Sequence, residues 1–133
     1  MPKKNDVTTN GCVIYAKNVE TLSAFYQTVL SMTTVETSES HHVLSNGSIE
    51  LVIHGIPENI ADNISISEPP DLRISTAIKP AFVVASLEKV RQVCEKTNGG
   101  LQPASNVWTF RGASVIDGWD PEGNVIQFKQ VNE

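Results

Sequence analysis

The sequence contains few cysteines and no apolar run long enough to span a membrane. Cys12 and Cys94 each lie within an apolar run, and no Cys-x-x-Cys pair is present. We therefore expect two reduced core cysteines rather than a disulfide or a zinc site. The opening residues do not lead into the apolar segment of a secretory signal, and no stretch of 18 apolar residues occurs, so a cytoplasmic protein is expected.

Positive charge is also scarce. Ten Lys and Arg residues stand against 15 Asp and Glu residues, a net charge of −5, which argues against nucleic acid as a partner. The sequence has no Gly-rich phosphate loop, no Gly-x-Ser-x-Gly elbow and no His-Glu-x-x-His pair. With 133 residues, the chain suits a single domain whose function depends on its fold rather than on one of these motifs.

The first half, about residues 10–55, has a strand-helix-strand-strand-strand pattern. A strand is predicted at 10–17, and a helix follows that is capped by Asn18, because apolar residues recur at helical spacing after it. Three strands are predicted at 32–38, 41–45 and 48–54, the last two joined by an Asn-Gly turn.

The second half, about residues 77–130, repeats that pattern. A strand at 77–84 precedes a helix that Ser86 caps and that Gly99-Gly100 should end, and three strands follow at 107–111, 113–119 and 124–130. The repeat indicates a duplicated unit. Residues 56–76 carry no sustained period and are interpreted as a linker between the halves.

Strand alternation assigns the side chains to two faces. In "IELVIH" (49–54), Ile49, Leu51 and Ile53 should face the helix, while Glu50 and His54 point to the opposite face. In "NVIQFKQ" (124–130), Gln127 takes the position equivalent to Glu50. The polar residues that interrupt these apolar runs therefore belong to the face that no helix covers.

The chain resembles the vicinal oxygen chelate superfamily, which includes glyoxalases, bleomycin- and fosfomycin-resistance proteins and extradiol dioxygenases. The resemblance spans about residues 10–130, with Ser31 where the family usually has glycine. It rests on four stretches: "VETLSAFYQTVLSM" (19–32), "IELVIHG" (49–55), "AFVVASLEKV" (81–90) and "WDPEGNVIQF" (119–128).

The resemblance implies an α+β fold in which two βαβββ repeats form a cupped mixed sheet with helices on the outer face. It also implies a ligand in the cup and a homodimer. In metal-dependent members four side chains line the cup, and the matching positions here are Gly11, Glu50, Lys79 and Gln127. Only Glu50 is a strong metal ligand, and Lys79 would repel a divalent cation.

Without a metal, two interpretations of Lys79 follow. In one, Glu50 and Lys79 pair, with Gln127 as a hydrogen-bonding neighbour, and form a metal-free polar floor. In the other, Lys79 extends to solvent. A divalent metal held by Glu50, Gln127 and a recruited histidine is the alternative. His54 is a candidate ligand or base, and only one of the adjacent His41 and His42 can face the cup.

Further candidates are aromatic or cationic. Tyr15, Trp108 and Trp119 are large enough to line a pocket, although core or interface packing is preferred for Trp108. Arg111 is a candidate for binding an acidic ligand group. Asp120-Pro121-Glu122-Gly123 is explained by turn formation and receives no catalytic role.

The sequence thus predicts a protein that binds a small organic ligand in the cup without the family's metal. A metal-dependent lyase or isomerase of the glyoxalase type, or a dioxygenase-like enzyme, is the alternative. A third interpretation is a duplicated domain that has lost its ligand site and mainly mediates assembly. The ligand-binding residues expected are Tyr15, Glu50, His54, Lys79, Arg111, Trp119 and Gln127.

Overall fold

The computed structural model describes residues 6–132, which divide into two compact units, one ending at Ser65 and the other beginning at Ile66. The elements of the first unit are β1 (Gly11–Ala16), α1 (Val19–Val29), β2 (Thr33–Thr37), β3 (His41–Ser45), β4 (Glu50–Gly55) and α2 (Glu58–Ala61). Those of the second are β5 (Ala81–Val83), α3 (Leu87–Glu95), β6 (Gly100–Leu101), β7 (Trp108–Phe110), β8 (Ala113–Trp119) and β9 (Val125–Val131), with a 3-10 turn at Ala104–Asn106.

The first unit is a four-stranded sheet with α1 on one face. The strand order is β1-β4-β3-β2, and β1 runs parallel to β4 while the other pairs are antiparallel. The Asn18 side chain accepts a hydrogen bond from Thr21 N and so begins α1 as predicted. The helix packs against β3 and β4. The largest fully buried side chains of this core are Leu22, Phe25, Tyr26, Leu44, Leu51 and Ile53.

The second unit has the same strand order with one strand interrupted. Its sheet runs β5-β9-β8-β6, and β7 also pairs with β8. Because β6 and β7 pair with the two ends of β8, together they occupy the place that β2 holds in the first unit. The α+β class and the βαβββ repeat that the sequence predicts are therefore confirmed.

Two predicted boundaries were wrong. Strand β5 is shorter than 77–84. Helix α3 ends at Glu95 rather than at Gly99, because its last turn tightens and Lys96 N donates to Val93 O. Gly100 belongs to β6, where an added Cβ would lie 2.2 Å from the Trp119 ring. That glycine is required for close packing, not for helix termination.

The predicted linker is more ordered than its composition indicated. Its first part contains α2, and Lys17 Nζ donates hydrogen bonds to Ala61 O at the end of this helix and to Ile64 O just beyond it. Its second part lies against the β8–β9 turn, where Arg73 N donates to Gly123 O at 2.8 Å. The segment is therefore shared between the two units rather than being a free connection.

Among residues 6–132, no helix is both long enough and apolar enough to cross a lipid bilayer.

Candidate functional site

The face of the first sheet opposite α1, here called the open face, carries three rows of side chains. Strand register places Tyr15, His54 and His41 side by side in one row. Three valines, Val13, Val52 and Val43, form the next row. Gly11, Glu50 and Ser45 form the last. The buried Leu51 and Ile53 alternate with Glu50 and His54, so the predicted division of faces is correct.

The first row is a series of neighbouring rings, here called the ring row. The Tyr15 and His54 ring centroids are 5.6 Å apart, and those of His54 and His41 are 6.0 Å apart with nearly parallel planes. Tyr15 is 61% exposed, which leaves most of its ring available for contact. The row is a surface on which a planar molecule can pack.

His41 is held at the end of the ring row by hydrogen bonds to both ring nitrogens. Its Nε2 lies 2.6 Å from Glu36 Oε2, and its Nδ1 lies 2.8 Å from Ser38 Oγ. Ser38 Oγ also accepts from the backbone N–H groups of Ser40 and His41, so its own proton is free to bond Nδ1. The sequence placed one of two histidines on this face, and the structure identifies it as His41.

His42 points to the other side of the sheet. Its Nδ1 lies 3.0 Å from Ser23 Oγ, and Ser23 is a buried residue of α1. This hydrogen bond satisfies a polar side chain in the core. His42 is thus a packing residue and takes no part in the open face.

Glu50 occupies the opposite end of the open face from the ring row. Its side chain is half-buried, and its carboxylate has no hydrogen bond or ion pair with the residues that the structure describes. Its neighbour Gly11 has no room for a side chain, because an added Cβ would lie 2.1 Å from the Glu50 carbonyl oxygen. Glu50 is therefore a charged group that no neighbouring side chain of β1 can neutralise.

In the second unit the polar residues form their own cluster. Lys79 Nζ lies 2.7 Å from Asp117 Oδ2, and Gln127 Nε2 donates to Asp117 Oδ1 at 3.4 Å. Lys79 therefore pairs with Asp117 and not with Glu50, the partner expected from the sequence. Asp117 faces Gln127 in the β8–β9 register. It is the only carboxylate within "ASVIDGW", and this was the signal from which it could have been predicted.

The remaining candidates lie at separate places in the second unit. Trp119 is half-buried at the end of β8, with its ring against Gly100. Trp108 is in β7 and 42% exposed. Arg111 is exposed in the two-residue β7–β8 turn, with a φ of 50°. Arg111 is thus on a hairpin tip rather than beside the tryptophans on a strand.

The Asp120 turn has the structural role that its sequence predicted. The Asp120 carboxylate is fully buried and accepts hydrogen bonds from the backbone N–H groups of Glu122 and Asn124 and from the Asn124 side chain. These bonds join β8 to β9 across the turn.

The residues at the family's metal positions do not fit a metal. Gly11 offers no ligand, and Lys79 is a cation already paired with Asp117. His54 lies four residues from Glu50 along β4, about 13 Å at ~3.3 Å per residue, too far for both to bind one ion. Among residues 6–132, no group of three or more His, Cys, Asp or Glu side chains is arranged to hold a metal ion.

Solved structures share this fold over almost the whole chain. A glyoxalase/bleomycin resistance protein/dioxygenase family enzyme from Burkholderia phytofirmans PsJN superposes with a TM-score of 0.67 at 19% identity, covering 92% of this chain and 97% of that one. The fosfomycin resistance protein FosX from Listeria monocytogenes, in complex with Mn(II) and 1S,2S-dihydroxypropylphosphonic acid, gives 0.65 at 12% identity, covering 94% and 90%.

A bleomycin resistance determinant encoded on the transposon Tn5 gives a TM-score of 0.55 at 14% identity, covering 96% of this chain and all of the other. No protein-family profile and no curated protein matches the sequence. The chain has the fold of the vicinal oxygen chelate superfamily, as its motifs indicated.

Proposed function

We propose that this chain is a cytoplasmic protein that binds a small organic molecule, with a planar part on the ring row, and that it does so without the metal of the family. The observation that carries the proposal is the chemistry of the open face of the first unit. It combines a row of rings with a carboxylate that has no partner among the described residues.

The arrangement favours a ligand that is planar at one end and cationic at the other. The ring row and Glu50 lie about 13 Å apart, four residues at ~3.3 Å each, and the valine row lies between them. A half-buried carboxylate is stabilised by an opposite charge, and an organic cation would supply it. The valines would bury apolar surface of the same ligand.

The second unit, considered by itself, carries further residues that are proposed as ligand contacts. Lys79 and Asp117 neutralise each other, and Gln127 has a carbonyl oxygen that its bond to Asp117 does not use. Trp119 is proposed as an apolar contact and Arg111 as a contact at the hairpin tip. The contributions of Gln127 and Arg111 are tested separately, by Gln127→Ala and Arg111→Ala in the binding measurement described next.

The test is a thermal-shift titration with a planar aromatic cation, proflavine, and in parallel with Mn²⁺, Ni²⁺, Zn²⁺ and Fe²⁺. A ligand that binds only the native state raises the Tm. We expect proflavine to raise the Tm, Glu50→Gln to reduce that rise, and the control Glu39→Gln, at an exposed residue of the β2–β3 turn, to leave it unchanged.

The metal arm tests the metal-dependent enzymatic alternative. A rise in Tm with a divalent metal that Glu50→Gln abolishes would overturn the metal-free proposal and make a glyoxalase-type lyase or isomerase the leading function. No rise with proflavine at saturating concentration would remove the support for a planar cation as the ligand.

We also propose that the protein is a homodimer. The exposed apolar side chain of Val83 on the edge strand β5 supports this, because burying such groups favours association. Sedimentation equilibrium should give twice the chain mass of 14.5 kDa. A monomer at micromolar concentration would contradict the proposal.

A further inference from the structure

The three histidines of the chain differ in what their ring nitrogens contact. His54 Nδ1 lies 2.9 Å from the carbonyl oxygen of Gly55. A carbonyl only accepts hydrogen bonds, so in the neutral ring Nδ1 carries the proton and Nε2 carries the lone pair. That Nε2 has no hydrogen-bond partner among residues 6–132.

Neither of the other histidines offers a free acceptor on the open face. His41 uses both nitrogens, with Glu36 and Ser38. His42 lies on the helix side of the sheet, bonded to Ser23. His54 is therefore the histidine of the open face that has a basic nitrogen available.

The ring of His54 is held in place from both sides. The ring centroid of Tyr15 on β1 lies 5.6 Å from that of His54, and the ring centroid of His41 on β3 lies 6.0 Å from it. His41 is itself held by two hydrogen bonds. The bond to Gly55 O fixes the tautomer and the orientation. An acceptor positioned in this way before binding loses little entropy when a ligand donates to it.

We propose that His54 Nε2 is the specificity-determining acceptor of the ring row, and that the ligand presents an N–H or O–H donor at the edge of its planar ring. The proposal rests on the proposed function, since it requires a planar molecule on this face. It adds a chemical class, planar rings with a donor at the edge, such as unsubstituted azoles and indoles. It excludes fully N-alkylated or O-alkylated rings of the same shape.

The probe pair for the test is indole and 1-methylindole, which are both planar and uncharged and differ in the donor. Binding is followed by NMR shift titration of the labelled protein. We expect indole to bind about five-fold more tightly, the value of one net hydrogen bond. In His54→Phe, which keeps a ring, the two probes should bind equally. In Tyr15→Phe, which removes only the hydroxyl, the preference for indole should remain.

The outcomes separate the two proposals. If neither probe shifts the signals of the ring row, both the proposed planar-ligand site and this inference fail. If both bind equally to the wild type, the planar-ligand site stands and the role of His54 is overturned. The role of His54 is also overturned if indole still binds more tightly than 1-methylindole in His54→Phe.

The tautomer supplies a check that requires no ligand. Long-range ¹H–¹⁵N spectra of the free protein in mildly alkaline buffer should show His54 protonated at Nδ1. A ring protonated at Nε2 would overturn the inference even if His54→Phe has folded poorly.

Discussion

The two units have the same strand order but treat their polar groups differently. In the second unit, Lys79, Asp117 and Gln127 satisfy one another. In the first, Glu50 and His54 Nε2 have no partner among the described residues. Both groups remain in contact with solvent, since among the described residues no side-chain N or O atom is buried without a hydrogen-bond partner, so a ligand that bonds to them displaces water. The comparison is the reason why binding of the planar part of a ligand is proposed for the first unit.

The hairpins that join the last two strands of each unit also differ. In the first unit, Asn46 Oδ1 accepts from the N–H groups of Ser48 and Ile49 in an exposed turn. In the second, Asp120 Oδ1 accepts from the N–H groups of Glu122 and Asn124, and this residue is fully buried. We therefore expect the turn acceptor of the second unit to contribute more to the free energy of unfolding than that of the first.

The largest expected effect comes from removing the buried turn acceptor. Asp120→Ala should lower the free energy of unfolding by about 3 kcal/mol, because several donors lose their partner away from water. Asn46→Ala, the matched change in the exposed turn, should cost about 1 kcal/mol. Urea denaturation measures both, and equal losses would contradict the contrast between the turns.

The next effect distinguishes the two thiols by pH. Burial raises the pKa of Cys94 from 9.0 to about 11, and nearby Arg91 partly opposes this. Burial also raises the pKa of the half-buried Cys12 thiol. Between pH 9 and 11 the unfolded Cys94 thiol loses its proton while the folded one retains it, so the folded state binds more protons and stability falls as pH rises.

The expected loss is about 2 kcal/mol by the upper end of that range, at ~1.4 kcal/mol per pKa unit. Cys94→Ala removes this part of the pH dependence, and Cys12→Ala removes a smaller part. The measurement is urea denaturation at several pH values. Identical slopes for the wild type and Cys94→Ala would contradict the burial argument.

A smaller effect tests the paired cluster against the unpaired carboxylate. Asp117→Asn should cost about 1 kcal/mol, the upper value for a partly exposed ion pair, because Lys79 loses its counter-charge. Glu50→Gln should change stability by less than about 0.5 kcal/mol, since no partner among the described residues is lost. A costly Glu50→Gln would show that Glu50 has a structural role.

The smallest effect concerns backbone conformation, with one position in each unit. Ser31 and Arg111 have φ values of 52° and 50°, which glycine and asparagine adopt more readily. Ser31→Gly and Arg111→Asn should each raise stability by about 0.5 kcal/mol. Differential scanning calorimetry measures the change, and a lower Tm in either variant would contradict the prediction.

Much of the fold could be predicted because its signals are local. The Asn18 and Ser86 caps, the alternation in β4 and β9 and the Asn-Gly turn each depend on a few neighbouring residues. Strand β6 was missed because two residues carry no period. The end of α3 was misplaced because Gly100 serves packing against Trp119. These features depend on contacts distant in sequence.

The sequence by itself determined the repeat, the faces of the strands and the residues that interrupt each apolar run. Only the tertiary structure decided which of those polar residues have partners. Asp117 neutralises Lys79, His41 is bonded to Glu36, and His54 Nε2 has no hydrogen-bond partner within the described part of the chain. The reason is geometric, since alternation selects a face from local periodicity. A hydrogen bond across a sheet, by contrast, depends on the register between strands that lie far apart in the chain.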